Sequence, residues 1–426
     1  MRNMKSVDMM SRPNCKKCKK ALLWISLAAL LLPQVCLANG FYVPEASARS
    51  IAQGGASVAD LMGASVVFFN PAMISLLEND FNAMAGLTTY FPSNRYQNPK
   101  TGTKVEADDT PIPVPYGYFT YRPVKGLGIG IGANTRFGLP VKWPDKWDGY
   151  SLVRDVNLQS STLAVCMSYA FLDWLSFGVS FDTTFGSVDL SRGLDFGSAW
   201  GLFRFGGSAV GFSASAAVYA KPLDWLAIGF TYHGPTKMEL DNGKADFDVP
   251  NRFAQLFPDQ NASTKLILPD VFQAGIRFWP HEDISIELDI VQVQWHRYDK
   301  LTFNFDKGLG DPPVKEQTEY KNWYDALQVR LGAAWKTPLE NLSAYAGFIY
   351  DGLAVPSQTV DPMLPDNHRI DFGIGIGYKV WRLNLDLGYL FVYFLPREVG
   401  EEDGNPFPAK YKALSHVLSF NVGFEY

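Results

Sequence analysis

Cysteine is scarce in this chain, four among 426 residues. Three of them, Cys15, Cys18 and Cys36, fall in the first 38 residues, so Cys166 stands alone in the rest. Without that leader no intramolecular disulfide can form, and stability must come from packing and hydrogen bonding. Long apolar runs are missing too. Beyond the leader no stretch reaches the roughly 18 continuous apolar residues of a helical membrane span. Positive charge is also short. The leader holds seven of the 38 Lys+Arg and one of the 43 Asp+Glu, so the remainder carries 31 against 42, a net charge of −11. That balance argues against a nucleic-acid partner. The five histidines, His233, His281, His296, His368 and His416, show no metal-ligand spacing and are expected at surface or rim positions. No metal or cofactor site is read here.

Catalytic motifs are equally thin. Gly126-Leu-Gly-Ile-Gly-Ile-Gly132 looks superficially like a phosphate-binding loop. It lacks the Lys-Ser/Thr of a P-loop and reads on as a strand. No serine pairs with a histidine and a carboxylate as a hydrolase would require. Enzyme is therefore the weaker class.

What is present begins with an export signal. Lys16, Lys17, Lys19 and Lys20 precede an apolar run from Ala21 to Leu32, then Pro33 and Cys36-Leu37-Ala38. This order of positive, apolar and small residues marks a secretory signal peptide cleaved near Ala38. A membrane anchor would need about 20 apolar residues, more than the run supplies. Pro33, Gln34 and Val35 are poor neighbours for a lipidated Cys36.

The exported part alternates. From Leu383 to Tyr393 the odd positions are large and apolar, while the even ones from Asn384 to Gly388 are polar or tiny. Ile370 to Tyr378 repeats this on even numbers, and so do Leu175–Phe185, Leu226–Tyr232, Leu327–Trp335 and Leu418–Tyr426. Period two with one greasy face is half-buried strand. A soluble sandwich and a membrane barrel both show it. The second face, mainly Gly, Ser, Asn, Asp, Gln and Arg, favours a barrel with its apolar side turned outward.

Strands are expected at 81–91, 113–122, 127–137, 158–171, 174–190, 207–221, 226–241, 264–279, 284–305, 320–336, 342–351, 369–379, 381–395 and 412–426. Links after even-numbered strands are tight, such as Leu172-Asp173 and Val380, and links after odd-numbered ones are long. Short turns on one rim and long loops on the other, with an even strand count, predict an all-β fold: a 14-stranded antiparallel transmembrane β-barrel.

Residues 39–80 do not join the alternation. Glu45 to Gln53 reads as a short helix closed by Gly54-Gly55. Asn70-Pro71 opens another, ending near Asn79, because Asn caps free N–H groups and Pro at the first helical position loses no bond. Such a segment is either a periplasmic tail or a plug inside a barrel wide enough to hold one. Its small residues and lack of a charge run favour the plug. The domains expected are thus 1–38 leader, 39–80 partly helical N-terminal hatch and 81–426 barrel.

Several stretches resemble the FadL-type (FadL/TodX) outer-membrane transporters of long-chain fatty acids and other hydrophobic compounds. Asn39-Gly-Phe-Tyr, Gly54-Gly-Ala-Ser-Val-Ala-Asp60 and Asn70-Pro71-Ala72 look like that family's hatch. Phe137-Gly-Leu139 with Trp143 and Trp147 is similar to its segment after the third strand. Leu268-Pro-Asp270 to Trp295-His-Arg-Tyr-Asp299 resembles its central hairpin, and Tyr350-Asp351, Pro356 and Leu364-Pro-Asp366 its late loop and strands.

The resemblance implies passive uptake of a hydrophobic ligand. Loops capture it, an apolar lumenal pocket holds it, and hatch rearrangement frees it sideways into the membrane at a third-strand kink. It places Gly54, Gly55, Asn70, Pro71 and Ala72 in the hatch or gate, and Arg136, Phe137 and Gly138 at the lateral opening. Inward phase puts Arg277 and Arg330 in the lumen, with Arg136, as candidate head-group contacts or as charge balance. The alternating end, with Phe424 and Tyr426, resembles the terminal strand read by the barrel assembly machinery. The partners implied are a hydrophobic small molecule, outer-membrane lipid and that machinery, and a monomer suffices. The alternatives are a general porin or structural outer-membrane protein and, less favoured, a lipid-acting barrel enzyme.

Overall fold

A computed structural model describes residues 40–426. The leader, with its expected cleavage site, lies outside the described residues. Fourteen antiparallel strands close into a barrel. They are β1 Phe81–Gln97, β2 Ile112–Val124, β3 Leu127–Asn134 continued by Gly138–Lys142, β4 Asp155–Leu172, β5 Leu175–Asp195, β6 Trp200–Leu223 and β7 Leu226–His233 with Thr236–Asp248. The second half comprises β8 Gln260–Leu268 with Val271–His281, β9 Ile284–Val293 with Lys300–Leu309, β10 Val314–Tyr320 with Ala326–Lys336, β11 Leu342–Asp351, β12 Arg369–Val380, β13 Leu383–Phe394 and β14 Ala409–Glu425. Closure is made by β1 against β14, from Asn82↔Glu425 to Gln97↔Lys410.

The alternation expected from sequence sets the two faces. On β12, Phe372, Ile374 and Ile376 point outward and are exposed, while Asp371 on the other phase is buried. On β4, Leu163, Val165, Met167 and Tyr169 face out against Thr162, Ala164, Cys166 and Ser168 inside. An apolar band outside and a polar, small-residue wall inside suit a barrel whose solvent is lipid.

Residues of the 40–80 segment fill the lumen. Helix α1 is Ala48–Ala52, α2 is Val66–Phe69, and 3-10 turns occupy Gly63–Ser65 and Pro71–Leu76. Inward glycines let this plug lie directly on the wall. A Cβ at Gly347 would stand 2.0 Å from Gly54 N, one at Gly388 2.1 Å from Ala48 O, and one at Gly229 2.1 Å from Val58 O. Only glycine leaves room there.

Several local expectations change. The helix expected from Glu45 to Gln53 is only five residues, with Gln53 at its C-cap and Gly54 and Gly55 at φ +60° and +73°. The turn opened by Pro71 is a 3-10 helix ending at Leu76, shorter than the one expected to reach Asn79. Its last residues give way where the chain must straighten into β1. The Gly63–Ser65 turn and helix α2 add helical structure between the two helices expected from sequence.

The third and ninth strands are interrupted, at Thr135–Phe137 and by a 3-10 turn at Trp295–Arg297. β5 and β6 run on as a paired hairpin to Asp195↔Trp200, replacing the long loop expected there. Leu190, Phe203 and Phe205 keep an inward phase that still finds packing partners. His233 is the exception among the histidines. It is buried inside the barrel with Nδ1 2.8 Å from Ser215 Oγ. It lies on the inward phase of β7, where a polar wall can accommodate an imidazole.

Candidate functional site

The break in β3 is the first feature of the site. Asn134 pairs with Thr162 on β4, and pairing resumes at Gly138↔Gln159, so three residues on β3 face two on β4. An extra residue of this kind makes a strand bend. Ser160 Oγ holds the bend by donating to Phe137 O at 2.6 Å. On the other side, the ladder to β2 ends at Gly117↔Ala133. The freed edge is taken by the beginning of the plug. Tyr42 bridges Phe137, Val43 N donates to Arg136 O at 2.8 Å, and Gly138 N donates to Phe41 O at 3.0 Å. Residues 41–43 therefore lie along the freed edge of β3 through a single β-bridge.

Behind this point lies an aromatic cluster. Phe41 packs edge-on against Trp295, Tyr298, Trp323 and Phe137 at centroid distances of 4.5, 5.8, 5.9 and 6.1 Å. Trp295 lies in the Trp295–Arg297 turn that interrupts β9, and its side chain is fully buried. Phe41 and Tyr298 border an apolar cavity of about 60 Å³, walled by residues such as Leu139, Leu158, Leu190, Phe205 and Leu266. Its roof is the loop between β11 and β12, through Met363. That loop is pinned by Trp143, whose Nε1 donates to Pro362 O at 2.9 Å, and Trp143 stacks on Trp147 at 4.5 Å.

Below the cavity the plug is fastened by charges. Asp289 Oδ2 accepts from Ser57 N at 2.7 Å and Val58 N at 3.1 Å, and Glu287 accepts from Ala59 N at 2.7 Å. Arg277 joins wall to plug, 2.7 Å from Glu287 and 2.9 Å from Asp60, and Arg49 closes the set on Asp60 at 2.7 Å. Removing one partner from such a buried set strands the others, which is strongly destabilising. Under the plug, a polar cavity of about 390 Å³ opens on the short-turn side, bordered by Arg49, Tyr345, Asp386 and Glu425.

The residues singled out by sequence separate into groups. Gly54 and Gly55 form the turn after α1, and Gly55 O accepts from Arg330 Nη1 at 3.1 Å. Asn70 caps the turn by accepting from Ala72 N at 3.1 Å, and its Nδ2 donates to Val58 O and Val218 O. Ala72 O accepts from Ser176 at 2.6 Å, and Pro71 and Ala72 lie over Gly178. The bonds of this motif thus run to β5 and β6, while the residues bonded to the β3 break are Phe41 and Val43.

The three arginines are all buried. Arg136 pairs with Asp182 at 3.3 Å and lies over the Phe68 ring, and Arg330 bonds Gln328 and the plug. Phe424 packs on Phe81 at 6.0 Å, and Tyr426 is exposed under Arg382. Sequence reading missed Tyr298 at the pocket, and Lys321 and Trp323 in a smaller space beside it. These sit where strands give way to loops, so no periodic signal marks their direction.

A family model described as outer membrane protein transport protein (OMPP1/FadL/TodX) matches residues 29–426. The long-chain fatty acid transport protein of Salmonella typhi is 20% identical over 437 residues, covering 94% of this chain and 97% of its own. Among solved structures, a Pseudomonas aeruginosa FadL homologue aligns with TM-score 0.80 at 16% identity, over 91% of this chain and all of its own. The P. putida toluene transporter TodX aligns with TM-score 0.71 at 15% identity, over 90% and 99%. At those identities the structural matches speak for the fold.

Proposed function

The chain belongs to the outer membrane protein transport protein family (OMPP1/FadL/TodX), and on that premise we propose passive uptake of long-chain fatty acids or similarly hydrophobic molecules. It is an outer-membrane β-barrel whose family and structural neighbours are transporters and channels rather than enzymes. The observation that carries the cargo reading is the apolar pocket directly behind the β3 break. An acyl chain gains about 0.8 kcal/mol for each CH₂ it buries, so it favours such a pocket over water. The named cargoes of the Salmonella relative and of TodX, fatty acid and toluene, share this property.

In this reading the leader, 1–38, is removed on export, 39–80 acts as the hatch and 81–426 is the wall. Cargo enters beneath the extracellular loops and displaces Phe41–Val43 from the edge of β3. It leaves laterally past Arg136, Phe137 and Gly138 into outer-membrane lipid. The polar cavity on the short-turn side is the poorer exit, because an apolar molecule would lose its burial there. Gly54, Gly55, Asn70, Pro71 and Ala72 keep the rest of the hatch in place while its first residues move. Arg277 and Arg330 are engaged by the plug, which favours charge balance over head-group binding. The barrel assembly machinery reads the strand ending in Phe424 and Tyr426, and a monomer performs the whole cycle.

A general porin is the alternative, and the filled lumen weighs against it. Uptake into proteoliposomes separates the two: a labelled hydrophobic probe such as an alkylbenzene should enter, and a hydrophilic sugar should not. Sugar entry without the hydrophobic probe would refute the proposal. A lipid-acting enzyme would instead turn over a lipid ester.

A further inference from the structure

The apolar pocket has one ammonium at its edge. Phe41, Leu139, Tyr298 and Met363 are shared between the pocket and a smaller adjoining space lined also by Lys321, Trp323, Thr359 and Asp361. Lys321 is 5% exposed. Its Nζ stands 3.3 Å from Glu319 Oε2 and 3.5 Å from Asp361 Oδ2, and the second oxygen of Glu319 is taken by Arg192 at 2.8 Å. The four side chains form a row in which two cations meet two anions, so the polar end of the pocket is neutral before any ligand arrives. Burial pulls the Lys321 ammonium toward its neutral form, but Asp361 and Glu319 outweigh this and hold it above the ordinary lysine range. A buried neutral donor is open by contrast: Nε1 of Trp323 has no acceptor among the described residues.

We propose that this pocket takes uncharged hydrophobic molecules carrying at most a neutral hydrogen-bond acceptor, and that Asp361 determines this by occupying the place at Lys321 that a ligand carboxylate would need. The proposal rests on the pocket being the cargo site. An ionised carboxylate entering here loses water and finds the only nearby ammonium doubly paired, so its desolvation is not repaid. It would also face the Asp361 carboxylate itself at short range. A neutral amide, alcohol or ketone meets neither penalty and can accept from Trp323.

The matched probes are 6-phenylhexanoate and 6-phenylhexanamide, which share shape and differ in charge. Calorimetric titration of the purified protein at pH 8 should show the amide binding at least about tenfold more tightly. Asp361→Asn should strengthen the acid by about tenfold relative to the amide. Asn preserves the acceptor that Asp361 Oδ1 offers to Met363 N at 2.8 Å. Asp361→Glu, which keeps the charge, should retain the preference for the amide. Equal binding of acid and amide by the unaltered protein would overturn the proposal, as would an Asp361→Asn variant with unchanged acid affinity. Failure of both probes to bind would remove the pocket reading as well, whereas acid preference would remove this inference alone.

Discussion

Asp366 shows how one side chain sets the behaviour of a whole loop. It lies between β11 and β12, above the strands, and its carboxyl accepts from Ala354 N at 3.1 Å and Val355 N at 3.4 Å. Burial pushes its pKa up to about 7 from 3.8, against the pull of those N–H groups and of Arg397. A carboxyl whose pKa is raised in the folded protein stabilises it fully below the unfolded value and loses that contribution as pH climbs to the folded one. The loop that roofs the pocket should therefore be tightest near pH 4, loosen progressively up to about pH 7, and change little above. Hydrogen exchange at Ala354 to Val360 across this range checks it, and Asp366→Asn should flatten the profile. A loop that tightens with rising pH would contradict the assignment.

Among the elements, the 3-10 turn Pro71–Leu76 is the piece of the plug most easily tested. Proline restricts the unfolded chain, and glycine there costs on the order of 0.4–1 kcal/mol. Loss of the Asn70 cap costs on the order of 1 kcal/mol more. Pro71→Gly with Asn70→Ala should thus expose the 39–80 segment to protease while the barrel keeps its heat-resistant mobility on gels. Failure of the barrel itself to assemble would show that this turn builds the wall and not the gate. The β3 break behaves differently from this turn. Its freed edge is satisfied by residues 41–43 alone, a contact small enough to exchange without unravelling the ladders on either side.

For the molecule as a whole, closure depends on β1 meeting β14. Tyr426 N and O exchange bonds with Phe81 at 2.8 and 2.9 Å, and Phe424 pairs across from Ala83. With Phe424→Ala and Tyr426 removed, the amount of folded barrel in the outer membrane should fall several-fold, read as heat-modifiable protein in membrane fractions. The same variant refolded in detergent should still close, because most of the β1–β14 ladder remains. A defect of equal size in both settings would make the end of the chain a packing feature and not a recognition signal.

Period two was enough to find all fourteen strands, because lipid outside and polar groups inside demand alternation along every one, though several run up to seven residues further than expected. The same rule predicted that Arg277 and Arg330 turn inward. Periodicity is silent where strands bend or stop, and there the tertiary structure decided. The turn at Trp295, the plug residues 41–43 on the edge of β3, and the row from Arg192 to Asp361 all join segments far apart in the chain. His233 carried no sign of being buried beyond its phase, since a lone imidazole suits a rim or a polar wall equally. The Asn70-Pro71 cap was legible as a turn. Its seat against β5 and β6 was not, because that depends on Gly178 and Gly229 leaving space on strands more than a hundred residues away. Alternation determined the barrel, and contacts between distant segments determined what the barrel holds.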